Sequence, residues 1–165
     1  TVPVLTEAVS TQLSPDAVVV APDLGAVKLA ENVAKRLSRA MATVRKARFS
    51  GSSVRAVELV GDVADRPVLI VDDMISTGAT IEAAMGILLD RGAVPDLTVA
   101  AVHGPLVPRA TERLRALPLR RIFVTDSTGP PAHPLVDVCP IDALLADAVR
   151  RLHHGRQLDD LLLQV

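Results

Sequence analysis

The chain has 165 residues, 49% of them hydrophobic and 1% aromatic, with a net charge of −1 and one cysteine. That length and a mean hydropathy of +0.35 describe one domain with a sizeable core and not a disordered segment. They exclude a global basic field for nucleic acid or anionic membranes, a surface of stacked aromatics and an internal disulfide.

In chain order, "AVVVA" (Ala17 to Ala21) reads as a buried strand. From Gly25 to Ala40 the apolar positions Ala30, Val33, Ala34 and Leu37 repeat at helical spacing. "ATVR" (Ala42 to Arg45) is a short strand. "KARFSGSS" (Lys46 to Ser53) is polar and without period, which predicts a mobile loop. "VRAVELV" (Val54 to Val60) alternates as a strand does, and "GDVADRP" is a turn. "VLIV" (Val68 to Val71) is the most buried strand. Ile81, Ala84, Met85 and Leu88 give the following helix one apolar face, which Gly92 ends. "LTVAAV" (Leu97 to Val102) is a strand closing at His103. Arg109 to Leu117 is an amphipathic helix, and "RIFVTD" (Arg121 to Asp126) is a strand. Ile141 to Leu152 and Leu158 to Leu163 are helical.

Strands alternating with helices predict an α/β domain with a mainly parallel sheet, its core built of Val, Leu, Ile and Ala. Ligands bind such sheets at the carboxyl ends of the strands. Asp23, Lys46, Arg48, Asp72, Asp73, His103 and Asp126 all follow strands and are expected along that one edge.

"VLIVDDMISTGAT" (Val68 to Thr80) carries the most chemistry. Ser76, Thr77, Gly78, Ala79 and Thr80 lead into a helix, and hydroxyls with free N–H groups at a helix start hold an anion such as phosphate. Asp72 and Asp73 would repel a phosphate unless they face something else. Vicinal sugar hydroxyls suit them, and the short loop matches the span from a sugar ring to its 5-phosphate. A phosphorylated ribose is the ligand suggested. The plainer reading makes the pair a solvated strand end, with Thr77 or Ser76 as the helix N-cap. The stretch lacks the Gly-Lys-Ser/Thr of the Walker loop and the Gly-x-Gly-x-x-Gly dinucleotide pattern.

The segment resembles the phosphoribosyl-diphosphate-binding motif of the type I phosphoribosyltransferase fold. "VVVAPDLGAVKLAENVAKRL", "VRKARFSGSSVRAVELVGDVADRPVLIVDDM", "AAVHGPLVPRATERL", "IFVTDSTG" and "CPIDALLADAVRRLHHG" are similar, in order, to the carboxyl-terminal half of ribose-phosphate diphosphokinases. The resemblance implies one domain over residues 1–165. It divides into a linker and first helix (1–13), a mobile catalytic loop (46–53) and a ribose-phosphate motif (68–80). It implies that Asp72 and Asp73 hold the ribose hydroxyls and that Ser76 to Thr80 wrap the 5-phosphate. Lys46 and Arg48 would close over the transferring phosphates, and Asp23 would help hold Mg2+. The substrates implied are ribose 5-phosphate and ATP. A missing amino-terminal domain or a partner subunit would complete the site, in a cytoplasmic homo-oligomer without nucleic-acid or membrane partners.

Each residue also has a plainer reading. Lys46 and Arg48 are compatible with loop solubility, Asp23 with a helix cap, His103 with a satisfied strand end, and Cys139 with a small buried hydrophobe. The sequence departs from the family at Ser76, where Asp is common, at Ala79, where Gly is usual, and at Ala26, which replaces a second Gly after Asp23. The rival readings are a phosphoribosyltransferase acting on a nucleobase and a non-catalytic regulatory homologue.

Overall fold

The computed structural model describes residues 1–48, 55–129 and 133–162. Its elements are α1 (Val2–Ser10), β1 (Val18–Ala21), α2 (Val27–Leu37), β2 (Met41–Arg48), β3 (Arg55–Val60), β4 (Val68–Met74) and α3 (Ala79–Asp90). There follow β5 (Leu97–His103), α4 (Pro108–Arg115), β6 (Leu119–Thr125), β7 (Val136–Cys139), α5 (Asp142–His153) and α6 (Asp159–Leu162). The strands form one sheet in the order β3-β2-β1-β4-β5-β6-β7. Every pairing is parallel except β2 with β3.

The strand order reverses between β1 and β4, which lie side by side with Val18 opposite Val68 and Val20 opposite Ile70. To one side the chain runs out through β2 and β3, to the other through β5, β6 and β7. Loops leaving two such neighbours diverge and open a crevice, the usual ligand position in open α/β sheets.

Both faces of the central strands are buried, so these strands are continuous aliphatic runs and not alternating ones. Alternate residues serve two cores. Val18, Ile70 and Val99 pack with Ile81, Met85 and Leu88 of α3 and Leu114 of α4. Val19, Leu69 and Val71 pack with Leu5 and Val9 of α1 and Ala30 and Val33 of α2. Each large aliphatic side chain so buried stabilises by roughly 1.5–3 kcal/mol. Cys139 sits in the second core, and burial pushes its thiol up to about 11, so it behaves as an inert small hydrophobe.

Three expectations change. The strand expected to end at Arg45 runs on to Arg48, because Lys46 pairs with Val57 and Arg48 with Arg55 across β2 and β3. Residues 49–53 of the expected mobile loop lie outside the described residues. β4 continues past its aliphatic run to Met74, so Asp72 and Asp73 belong to the strand itself; pairing of Asp72 with Ala101 and Met74 with His103 carries it on. β7 has no strong pattern of its own; it forms because β6 offers it a parallel edge, with Ile122 opposite Val136 and Thr125 opposite Cys139.

Candidate functional site

The β4–α3 junction carries the motif of Val68 to Thr80. Gly78 is the N-cap of α3, at φ 73° and ψ 0°, a left-handed conformation that glycine adopts without strain. A Cβ there would also stand 3.2 Å from the side chain of Leu114. The N-cap expected at Thr77 or Ser76 is therefore at Gly78, and no side chain caps the helix. Thr77 instead accepts a 3.4 Å hydrogen bond from the Ala79 N–H through its Oγ1. The first turn of a helix leaves N–H groups without intrahelical partners, and an uncapped one presents them outward. They border a cavity of about 140 Å³ lined by Asp72, Met74, Ile75 and residues 76–81. All five residues expected to wrap a phosphate thus line one small cavity.

The two carboxylates part company. Asp72 is buried, 6% exposed, and lines this cavity; Asp73 is exposed and lines a second cavity of about 460 Å³ with Gly25, Lys28 and His103. Neighbouring residues on a strand face opposite sides, which is the cause. Asp72 is thus not the solvated strand end of the plainer reading. Burial pushes its carboxyl up to about 7, with the charges of Asp23 and Asp73 acting the same way. The Asp73 N–H, donating to Asp72 Oδ1 at 2.9 Å, opposes that rise.

At the β1–α2 junction, Asp23 Oδ1 accepts from the N–H groups of Gly25 at 2.8 Å and Ala26 at 3.3 Å. These bonds fold the turn ahead of α2, whose N-cap is Ala26 without a side-chain cap, so the plainer reading of Asp23 as a helix cap is not what the structure has. The second carboxylate oxygen of Asp23 takes no part in those two bonds. Among the described residues, no group of three or more His, Cys, Asp or Glu could hold a metal ion. A hard cation drawing one carboxylate oxygen from the protein and the rest from phosphates and water suits this donor set, and Mg2+ binds in that manner.

The phosphoribosyl transferase domain family matches residues 6–117, a span that contains every expected site residue. The chain belongs to that family. It is 34% identical over 153 residues to a ribose-phosphate pyrophosphokinase of Caldanaerobacter subterraneus subsp. tengcongensis, covering 91% of this chain and 48% of the relative. The structure matches that of phosphoribosylpyrophosphate synthetase from Mycobacterium smegmatis with a TM-score of 0.78 and 32% identity, over 93% of this chain and 49% of that one. Orotate phosphoribosyltransferase from Aeropyrum pernix shares the fold at a TM-score of 0.59 and 21% identity, over 90% of this chain and 74% of that one. The chain spans about half the length of the pyrophosphokinases it matches.

The turn of residues 76–80 is held by residues that were not legible in the motif. Arg113 of α4 donates from Nη1 to the Thr77 carbonyl at 2.7 Å and pairs through Nε with Glu82 of α3 at 2.8 Å. The stretch after β5 braces the other side. The Ile75 N–H donates to the His103 carbonyl at 2.9 Å, and the Val107 N–H to the Ser76 carbonyl at 3.1 Å. Arg113 is 36 residues from Thr77 in sequence, so only the packing of α4 on α3 brings them together. His103 is a satisfied strand end, its Nδ1 at 2.7 Å from Ser127 Oγ. The backbones of Lys46 and Arg48 belong to β2; their side chains lie outside the described residues.

Proposed function

We propose that this domain binds ribose 5-phosphate and forms the sugar half of a ribose-phosphate diphosphokinase site. The observation that carries the reading is the uncapped, glycine-initiated turn at residues 76–80, over a small cavity with the buried Asp72 in its wall. The 5-phosphate would lie on the N–H groups and hydroxyls of Ser76 to Thr80. Asp72 and Asp73 would accept hydrogen bonds from the ribose hydroxyls, one from each side of the strand end. The similarity to pyrophosphokinases along nearly the whole chain supports this activity over nucleobase transfer.

The chemistry would be transfer of a diphosphoryl group from ATP. The anomeric oxygen forms a bond to the β-phosphorus as the bond from that phosphorus to the bridging α-oxygen breaks. AMP departs and the proton of the anomeric hydroxyl passes to solvent. Such transfer depends on positioning and on neutralising charge more than on covalent help. Asp23 would hold Mg2+ through its second carboxylate oxygen, and the ion, when bound, supplies neutralisation of the phosphate charge. Lys46 and Arg48 would add positive charge at the transferring phosphates. The relatives are about twice as long, so a further domain or a partner subunit would supply the remaining ATP contacts.

Phosphorus NMR of the chain with ribose 5-phosphate, ATP and magnesium tests this. AMP and phosphoribosyl diphosphate that vanish with Lys46→Ala would mark a self-sufficient diphosphokinase. Specific broadening of the ribose 5-phosphate signal without turnover, lost with Asp72→Ala, would mark the sugar half of the site. Neither signal would overturn the proposal and favour a non-catalytic homologue.

A further inference from the structure

The strand-end reading of His103 accounts for one of its two ring nitrogens. Three short contacts run from the ring to the backbone of β5. His103 Nδ1 lies 2.7 Å from Ser127 Oγ, Ser127 Oγ lies 2.8 Å from Thr125 Oγ1, and Thr125 Oγ1 lies 2.6 Å from the Val102 carbonyl. Contacts of this length each carry a proton. The carbonyl has none to give, so Thr125 donates there with its single hydroxyl proton. Ser127 then donates to Thr125, and His103 Nδ1 donates to Ser127. Reversing any link strips a contact of its proton. The chain of bonds therefore places the proton of the neutral ring on Nδ1 and leaves Nε2 as an acceptor. Among the described residues, Nε2 has no hydrogen-bond partner.

The backbone beneath the ring is fixed from both neighbouring strands. Met74 of β4 lies opposite His103, and the Ile75 N–H donates to the His103 carbonyl at 2.9 Å. On the other side Gly104 packs so closely on β6 that a Cβ there would stand 2.6 Å from Val124 Cγ1. A merely solvated histidine requires none of this. The residue is exposed and lines the cavity of about 460 Å³ that Asp73 also lines. Ribose 5-phosphate in its ring form has three hydroxyls, at C1, C2 and C3. Asp72 and Asp73 suit the vicinal pair at C2 and C3, which leaves the anomeric hydroxyl without an acceptor. We propose that His103 Nε2 is that acceptor, a sugar-contacting residue that orients the anomeric oxygen. This rests on the ribose 5-phosphate reading above. A hydroxyl that points its proton at Nε2 turns a lone pair away from the ring, in position to attack phosphorus.

Calorimetry of the 165-residue chain tests this, with ribose 5-phosphate compared against its analogue lacking the anomeric hydroxyl. The unaltered chain is expected to prefer ribose 5-phosphate by about threefold to tenfold, the share of one hydrogen bond. His103→Ala is expected to erase that preference while binding the analogue as the unaltered chain does. His103→Gln is expected to restore it in part, because the amide oxygen reaches the place of Nε2. Nitrogen NMR of the ring at about pH 8, above the usual histidine range, is expected to show Nδ1 protonated. It is also expected to show the Nε2 resonance moving as ribose 5-phosphate is added. An unaltered chain that binds neither sugar overturns the ribose 5-phosphate reading and this proposal with it. Equal binding of the two sugars overturns this proposal alone. So does His103→Ala weakening both sugars alike, which is what a purely structural role would do, or a neutral ring protonated on Nε2.

Discussion

At the β1–α2 junction, the carboxylate of Asp23 takes up the N–H groups of Gly25 and Ala26. At the β4–α3 junction, next to it in the sheet, Gly78 is the N-cap and Thr77 Oγ1 takes the N–H of Ala79. One turn folds two backbone donors onto a carboxylate that keeps a second oxygen; the other spends one donor on Thr77 and hides its nearest carboxylate in the strand. The first is suited to a cation and the second to an anion, though both are strand–loop–helix connections of similar length. The composition of the turn decides between them: an Asp four residues before the helix start in one, and a left-handed glycine in the other.

The largest expected effect lies with the hidden carboxylate. Asp72 keeps its proton to about pH 7 in the folded chain and loses it near 3.8 when unfolded. Between those values the folded state binds more protons, so this group's contribution to stability falls as pH rises through the window. Asp72→Asn is expected to raise stability above pH 7 by roughly 1–3 kcal/mol, after discounting screening by solvent at the strand end. Below about pH 4 it is expected to change little. Urea denaturation at pH 8 and pH 4 checks this; an equal effect at both would remove the buried proton from the account.

Gly78→Ala attacks the other half of the comparison. The positive φ and the contact with Leu114 together are expected to cost about 1–2 kcal/mol. Affinity for ribose 5-phosphate is expected to fall about tenfold or more by calorimetry as the turn distorts. Wild-type affinity in this variant would mean that the turn is not the anion site.

Asp23 separates turn from cation. Asp23→Ala is expected to lower stability by about 1 kcal/mol through the two lost turn bonds, while Asp23→Asn retains it, because the Asn carbonyl oxygen accepts the same N–H groups. Both are expected to weaken Mg2+ binding, measured by titration of the metal. Equal stability loss in the two would show that the side-chain oxygen does not carry the turn.

The smallest effect is expected at the brace. Arg113→Ala removes a partly exposed ion pair and one bond to the Thr77 carbonyl, at a cost of about 0.5 kcal/mol. Ribose 5-phosphate affinity is expected to drop about threefold. An unchanged affinity would show that the stretch after β5 holds the turn by itself.

Much of this was legible in the chain because it is local. The aliphatic run of Val68 to Val71, the face of Ile81, Ala84, Met85 and Leu88, and the stop at Gly92 are set by neighbours in sequence, and the structure has all three. The α/β class followed from their alternation. What escaped was non-local. β7 depends on the edge of β6, the extension of β2 depends on β3, and the clamp from Arg113 depends on two helices packing together. The separation of Asp72 from Asp73 was implicit in the two-residue period of a strand, but it showed only once the strand was seen to include them.

The reversal of strand order between β1 and β4 has a consequence for motion. The two cores lie on opposite faces of the sheet, and the loop after β1 feeds α2 on one face while the loop after β4 feeds α3 on the other. A molecule seated across the crevice would touch the beginnings of both helical layers and act as a tie rod between them. Opening of either layer would then require its release, so openings are expected to become rarer as the ligand concentration rises. Slow-exchanging amides in α2 and α3 would come to exchange in step.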